Sequence, residues 1–429
     1  MNNNKSLKIT AEICRILIGA VFIFSGFVKS VDPTGSAIKI GEYLESFGAP
    51  HPSWLSMFLS FNLSSIEFAL GVCVLLAVLR WWSSLLTLVF MCVMTPLTLY
   101  LALYNPVADC GCFGDALVIT NWQTFYKNIV LLAAAVIVFI YRNKLEQIYS
   151  RSLQGFIALF AFFFCIGFCY WNFAHLPVID FRPYKVGENI PSLMNIPPDA
   201  PQDEYVFIYE KEGVTKEFTL DNSPAGDSAW TYVDARLVSK GFVPKIGSFE
   251  LFDENNINLA EDILQQPELV MLFVSPHLDE ASEKSASKIN NLYDFAQETD
   301  GLQFYFATAS SDEEIASWRI DTGSDYQMLT ADDVVLKTMI RSNPGLLVLR
   351  EGTILNKYHF NDFPSPDDIL ALAADYQSYI DEAVLDAKWK PATSPQKANF
   401  WLFISAAFFV PLLLIWLYDF LIVRKSKRV

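Results

Sequence analysis

Residues 8–28 read KITAEICRILIGAVFIFSGFV, an apolar run of about the 20 residues that a helix needs to cross a ~30 Å hydrocarbon core. Five further runs of this kind lie at about 56–79, 83–104, 123–141, 154–174 and 399–423, so six transmembrane helices are expected. The first run is too long for the apolar centre of a signal peptide and carries Arg15, and no small-residue cleavage site precedes Lys29. It is therefore expected to stay on the protein. Composition supports a two-part chain: 52% of 429 residues are hydrophobic, yet the net charge is -16. Asp and Glu are sparse before about residue 175 and dense from about 180 to 390, so the apolar and the acidic content belong to different regions.

Lys and Arg set the expected orientation. Lys5, Lys8, Arg15, Arg80, Arg142, Lys144 and Arg151 fall on one side of a six-span arrangement, together with Arg424, Lys425, Lys427 and Arg428, whereas the opposite short loops keep only Lys29, Lys39 and Lys127. Both termini are expected in the cytoplasm of a bacterium whose inner membrane the chain crosses. The loops at about 29–55 and 105–122 and the acidic segment from about 175 to 398 are expected in the periplasm.

Five units follow along the chain. Residues 1–150 read as a four-helix membrane domain, 151–178 as a fifth transmembrane helix, and 179–244 as a β-rich lead-in with short runs at Tyr205–Tyr209, Lys216–Leu220 and Trp230–Val233. Residues 245–390 alternate strand-like and helix-like runs, and 396–424 form the final span. In the fourth unit the expected order is a hairpin at 248–259, a buried strand at 269–274, a helix at 280–298, a strand at 302–307, a hairpin at 346–360 and a helix at 366–385. This α/β plan resembles the thioredoxin-like fold of membrane-tethered thiol proteins. Val274-Ser275-Pro276 leads into a helix where that fold has its active-site turn, and Asn343-Pro344-Gly345 stands where it has a cis-proline, making Pro344 the candidate. The turn reads Ser275-Pro276-His277-Leu278-Asp279-Glu280, and no cysteine follows Cys169. That domain cannot exchange disulfides, and its expected role is recognition.

All seven cysteines precede residue 170. Cys14, Cys73 and Cys92 lie in spans and read as packing residues. Cys110 and Cys112 stand in Asp109-Cys110-Gly111-Cys112-Phe113-Gly114-Asp115, a loop expected near the surface on the oxidising side, where thiols pair. A ring closed by two cysteines one residue apart is small, Gly111 relaxes its backbone, and exposed, strained disulfides exchange readily. Three readings remain: a redox pair, a loop brace or a metal site. The third has little support, because His51, His175, His277 and His359 are widely spaced and there is no second cysteine cluster. Cys165 and Cys169 share a helix face and form a relay with the loop if that face meets it; otherwise they are packing residues. Arg15 and Glu67 are charged residues within spans. Paired, they either fix helix packing or serve a proton route or quinone head-group site.

The N-terminal third resembles the DoxX superfamily, and within it the MauE-like branch. The resemblance is carried by Arg15, Gly19-Ala20-Val21-Phe22, Ser25-Gly26-Phe27-Val28-Lys29, Asp32-Pro33, Glu67 with Gly71, and Cys110-Gly111-Cys112-Phe113-Gly114. It implies a redox-associated membrane protein, similar to those linked to disulfide formation in exported proteins or to quinone-coupled sulfur oxidation. The expected function is thiol-disulfide or quinone-linked electron transfer through Cys110 and Cys112, with a periplasmic or membrane protein as partner and a quinone as the one cofactor in view. The alternative is a non-catalytic scaffold whose acidic domain binds a partner protein. No basic stripe suggests nucleic acid, no Gly-rich phosphate loop occurs, and the scarce intramembrane charge speaks against a transporter.

Overall fold

The computed structural model describes residues 2–50, 52–107, 109–224, 226–381, 389 and 395–423, the side chains of 2–5, 395–399 and 423 excepted. His51, residues 382–385 of the last predicted soluble helix and the basic residues Arg424, Lys425, Lys427 and Arg428 lie outside the described residues. Among the described residues, six helices are long and apolar enough to cross a membrane, and the chain is a multi-pass membrane protein.

Helices α1 (Asn2–Val31), α3 (Ser53–Leu75), α4 (Arg80–Tyr104) and α5 (Asn121–Tyr141) form the bundle. Between the first two, the expected loop contains a further helix, α2 (Pro33–Ser46). Its start is encoded locally: Asp32 caps it by accepting from the Gly35 amide at 2.8 Å, and Pro33 occupies the first turn, where its missing N–H costs nothing. α1 and α3 run antiparallel at backbone contact. A Cβ added to Gly26 would lie 2.5 Å from the Phe68 nitrogen, and one added to Gly71 2.6 Å from the Ile23 nitrogen. Small residues at these crossings let the backbones touch, which is how helices associate where lipid removes the hydrophobic drive. α6 (Arg151–Ala174) packs against α3, and α13 (Pro395–Tyr418) leans on α6 through Phe408, which meets Phe160 and Phe164.

After α6 come the short α7 (Ile190–Met194) and a separate three-stranded antiparallel sheet, β1 (Glu204–Lys211), β2 (Val214–Thr219) and β3 (Thr231–Ser239), in the order β2-β1-β3. The main soluble domain runs α8 (Ala260–Gln265), β4 (Leu269–Ser275), α9 (Ala286–Glu298), β5 (Leu302–Thr308), α10 (Asp312–Thr322), β6 (Met328–Thr330), α11 (Asp333–Met339), β7 (Gly345–Arg350), β8 (Thr353–His359) and α12 (Pro366–Asp381). Its sheet has the order β6-β5-β4-β7-β8, with β4, β5 and β6 parallel and β7 and β8 antiparallel to their neighbours. Every residue of β4 is buried, as a central strand covered on both faces requires. Two apolar clusters cover the sheet, one including α9 and α12, the other α8 and α11. The expected hairpin at 248–259 shrinks to single bridges of Phe252 with Asn258 and Thr330. Asp253 explains this, since it folds the intervening residues into a tight turn by accepting from the Asn255 and Ile257 amides.

The soluble domain is seated on one end of the bundle. Arg341, just after α11, donates to Asp32 at 3.0 Å and lies 3.6 Å from Asp115. Ser53 donates to Glu280 at 2.8 Å. The connecting segment is held on both sides: Asn172 donates to the Ser30 carbonyl and accepts from the Val178 amide, and Asn361 donates to the Ala174 carbonyl. Asp180 receives Lys357 at 2.7 Å and Arg182 at 3.0 Å. Removing one partner of a largely buried ion pair costs about 3 kcal/mol. Arg341→Met is expected to loosen this seat, seen as faster proteolysis at 175–183 with unchanged helical circular dichroism. The swapped pair Asp32→Arg, Arg341→Asp is expected to recover part of the protection.

Candidate functional site

The loop joining α4 to α5 carries Cys110 and Cys112. It begins where Asn105 takes a left-handed conformation at the end of α4, with φ of 49°. Asn121, opening α5, donates to the Asn105 side chain at 2.8 Å and to the Val107 carbonyl at 3.1 Å, closing the loop at its base. Asp109 accepts from the Gly111 amide, and the Gly114 amide donates to the Gly111 carbonyl. Gly111 sits at φ +62°, where a side chain is strained, and the added Cβ would stand 3.3 Å from Lys39. This turn brings the Cys110 and Cys112 sulfurs to 2.8 Å as free thiols.

The pair is buried, with Cys110 7% and Cys112 8% exposed, which corrects the expectation of a surface-exposed loop. The unforeseen α2 is the cause. Its Tyr43 packs on the loop and donates to the Cys110 carbonyl at 2.7 Å, while Ser25 of α1 donates to the Cys112 carbonyl at 2.6 Å. Phe113 packs edge-on against Phe24, and Lys127 of α5 stands over its ring at 4.1 Å. Burial pushes the Tyr43 phenol up, so it stays a donor.

The two thiols titrate as a unit. The hydrogen bond from Cys110 pulls Cys112 down to about 6 against its own burial, with the Lys127 and Lys29 ammonium groups adding to the pull. The same hydrogen bond, then burial, pushes Cys110 up. A sulfur pair with one low member has the chemistry that exchange uses, because the thiolate is the nucleophilic form and a low-pKa thiol the better leaving group.

The expected Arg15–Glu67 pair does not form. Arg15 donates to Glu12 at 2.7 Å and to the Leu75 carbonyl, whereas Glu67 receives Lys29 at 2.6 Å. The antiparallel register explains it. Gly19 faces Leu75 and Gly26 faces Phe68, so Glu67 is level with the far end of α1, where Lys29 lies. Fourteen helical residues, about 21 Å, separate Arg15 from that level. Lys29 also donates to Ser25 at 3.3 Å. The sequence does contain the clue: Ser25 and Lys29 are four apart, hence on one face of α1.

Cys165 and Cys169 are buried neighbours on α6, with Ser65 beside both and Ser30 beside Cys165. They pack with Phe68, Val72 and Ala161, whereas Cys110 and Cys112 cluster with Leu101 and Val107. The structure thus holds two separate sulfur pairs rather than one four-sulfur cluster, and the Glu67 carboxylate is within electrostatic reach of Cys112 and of Cys165. Cys73 is buried, Cys14 half-buried and Cys92 exposed.

Above the loop, a cavity of about 1650 Å³ separates bundle from soluble domain. Asp109, Gly111 and Asp115 line one wall, and Pro276, His277 and Asn343 the other. The second wall is the end of the sheet where β4 leaves and β7 begins, with the Asn343–Pro344 bond cis. No thiol stands there. Asn343 accepts from Ser275 at 2.6 Å and donates to the His277 carbonyl at 2.7 Å, and its own carbonyl accepts from the Ser282 amide. His277 contacts Asp333 at 3.1 Å. Among the described residues, no group of three or more His, Cys, Asp or Glu is arranged to hold a metal ion.

Residues 7–141 match the family model described as Methylamine utilisation protein MauE, and the N-terminal membrane domain is of that family. Residues 203–240, which span the three-stranded sheet, match a model described as a domain of unknown function. No curated protein matches the chain. Among solved structures, the chain is similar to an exposed lipoprotein thioredoxin of Streptococcus pneumoniae, 16% identical over 29% of this chain and 98% of that one, with a TM-score of 0.24. It is also similar to the thioredoxin domain of a thiol-disulfide oxidoreductase of Bacteroides vulgatus, 12% identical over 30% of this chain and 91% of that one, with a TM-score of 0.24. The strand order and register of the five-stranded sheet, with a cis-proline entering β7, make the soluble domain thioredoxin-like.

For the reduced protein in native membranes, iodoacetamide is expected to modify Cys112 with a midpoint near about 6, the rate rising with pH as the thiolate forms. Cys110 is expected to react only above the ordinary thiol range. Peptide-resolved mass spectrometry after short pulses from pH 5 to 9, a roughly chosen window around the thiol range, reads both.

Proposed function

We propose that this protein is a thiol-disulfide exchange component of the bacterial inner membrane, in which Cys110 and Cys112 cycle between dithiol and disulfide. The observation that carries the reading is the pair of free sulfurs at 2.8 Å, set beneath a cleft roofed by a thioredoxin-like domain that has no thiol of its own. The exchanging sulfurs belong to the bundle, and the soluble domain recognises the client.

The client is an exported protein with a cysteine pair. Its dithiol gives two electrons to the Cys110–Cys112 disulfide and becomes a disulfide, one of its two protons going to Cys110 and the other to water. A membrane quinone, or a partner protein's disulfide, takes two electrons from the reduced pair and restores it. Orientation follows the basic residues: Lys8 pairs with Glu146 at 2.6 Å and Arg80 donates to the Leu145 carbonyl, so these cations gather at the end of the bundle away from the cleft. With that end cytoplasmic, the cleft opens to the periplasm, where disulfides persist.

A non-catalytic assembly factor is the second reading. Asn343 favours it, since this residue satisfies its own side chain and carbonyl within the soluble domain.

Mass-tag alkylation of cells with and without reductant separates the two. Exchange predicts that both redox states are populated, that Cys112→Ser accumulates mixed disulfides through Cys110, and that the double serine variant abolishes client oxidation, because no disulfide is left for the client thiolate to attack. A pair locked in one state, with the double variant fully active in cells, leaves the assembly factor standing.

A further inference from the structure

The Lys29–Glu67 pair is a charge pair inside the membrane bundle, with side chains 10% and 7% exposed. Burying two charges costs several kcal/mol per ion before their attraction offsets it, and helix packing alone does not need it, because glycine contacts already join α1 to α3. The placement of the pair is informative. Lys29 donates to Glu67 at 2.6 Å and to Ser25 at 3.3 Å, and the Ser25 hydroxyl donates to the Cys112 carbonyl at 2.6 Å. The Lys29 ammonium also acts electrostatically on both loop sulfurs. Lys127 approaches Cys112 from α5. Cys110 stands between Asp109 and Gly111, which both line the cleft, whereas Cys112 has one such neighbour, Gly111; the two cysteines are about equally buried.

We propose that Lys29, set by Glu67 and tied through Ser25 to the Cys112 backbone, is a positioning residue that holds negative charge on the Cys112 sulfur, so that a client attacks Cys110 and Cys112 leaves. This rests on the exchange reading above. A client thiolate forms a bond to the Cys110 sulfur, the Cys110–Cys112 bond breaks, and its electron pair stays on Cys112 facing Lys29 and Lys127. The second client thiolate then attacks the client sulfur of the mixed disulfide. The client disulfide forms and the Cys110–client bond breaks. Cys110 takes one of the two client protons, and the other is released to water while Cys112 remains a thiolate. Lower-pKa thiols leave faster, so the lysines direct which sulfur the client holds.

The groups that face Cys112 are Cys110 in its own loop, Lys29 on α1, Glu67 on α3 and Lys127 on α5, with Tyr43 and Lys39 of α2 on the neighbouring Cys110 carbonyl and Asp109. The test is the pH profile of Cys112 alkylation in the reduced full-length protein, in native membranes. Lys29→Met, Glu67→Gln removes both charges, leaves neither unpaired, and is expected to move the midpoint up by about 1 pH unit. Glu67→Gln alone frees Lys29 to act on Cys112 and is expected to move it down. Lys29→Arg is expected to stay near the parent. Opposite shifts in two variants with parental thermal stability are not produced by a merely structural role. One midpoint shared by all four proteins overturns the proposal. Client adducts trapped in Cys112→Ser are scored separately, so shifted midpoints without adducts overturn the exchange reading alone, and adducts with unmoved midpoints overturn the role of Lys29 alone.

Discussion

Backbone contact between α1 and α3 is the constraint on which the rest of the structure depends. With glycine at Gly19, Gly26 and Gly71, the two helices meet without intervening side chains, and the antiparallel register admits little slip. That register places Glu67 beside Lys29, sets Ser25 against the Cys112 carbonyl, and ends α1 where Asp32 caps α2. α2 in turn covers the cysteine loop with Tyr43 and offers Asp32 to Arg341. A bulky residue at Gly26 would push against the Phe68 backbone and dislocate all of these contacts together.

The soluble domain has the thioredoxin-like sheet order, covering helices and cis-proline turn, and Ser275, Pro276 and His277 occupy the turn after β4. Asn343 closes that turn on itself with three hydrogen bonds. What the domain keeps is a shaped wall. Arg341 fastens the wall to the bundle through Asp32 and Asp115, and the cavity between them faces the one loop that carries paired free sulfurs outside the helices. Function lives in the site rather than the fold, and the paired sulfurs stand in the bundle, across the cavity from the thioredoxin-like turn.

Charge does different work in the two halves. At the seat of the soluble domain, Asp32, Asp115 and Asp180 meet Arg341, Arg182 and Lys357, so that opposite charges are largely neutralised as the domains come together. Beside the sulfurs the balance is different: Lys29 is partnered by Glu67, Lys127 rests on the Phe113 ring, and both ammonium groups favour negative charge at Cys112 against the opposing Glu67 carboxylate. A positive field favours thiolate over thiol, and the surrounding apolar side chains limit screening by water.

Much of the architecture was legible in one dimension. Apolar runs of membrane length locate the six long helices because hydrocarbon thickness is a length the chain must match. The acidic block, the order of strands and helices after residue 260, and Cys110-Gly111-Cys112 as the sulfur pair worth attention are equally local, set by periodicity, turn residues and spacing. Asp32-Pro33 even announces a helix start, within a stretch whose pattern otherwise suggests a loop. The burial of the cysteines, the partner of Glu67 and the separation of Cys165 and Cys169 from the loop were not legible. Arg15 and Lys29 are both cations on α1, and only the register of α1 on α3, decided by glycines meeting backbone atoms across the bundle, selects Lys29. Sequence thus determined which residues carry charge and sulfur; tertiary packing alone decided which of them meet, because contact between helices depends on rotation and offset that no single helix encodes.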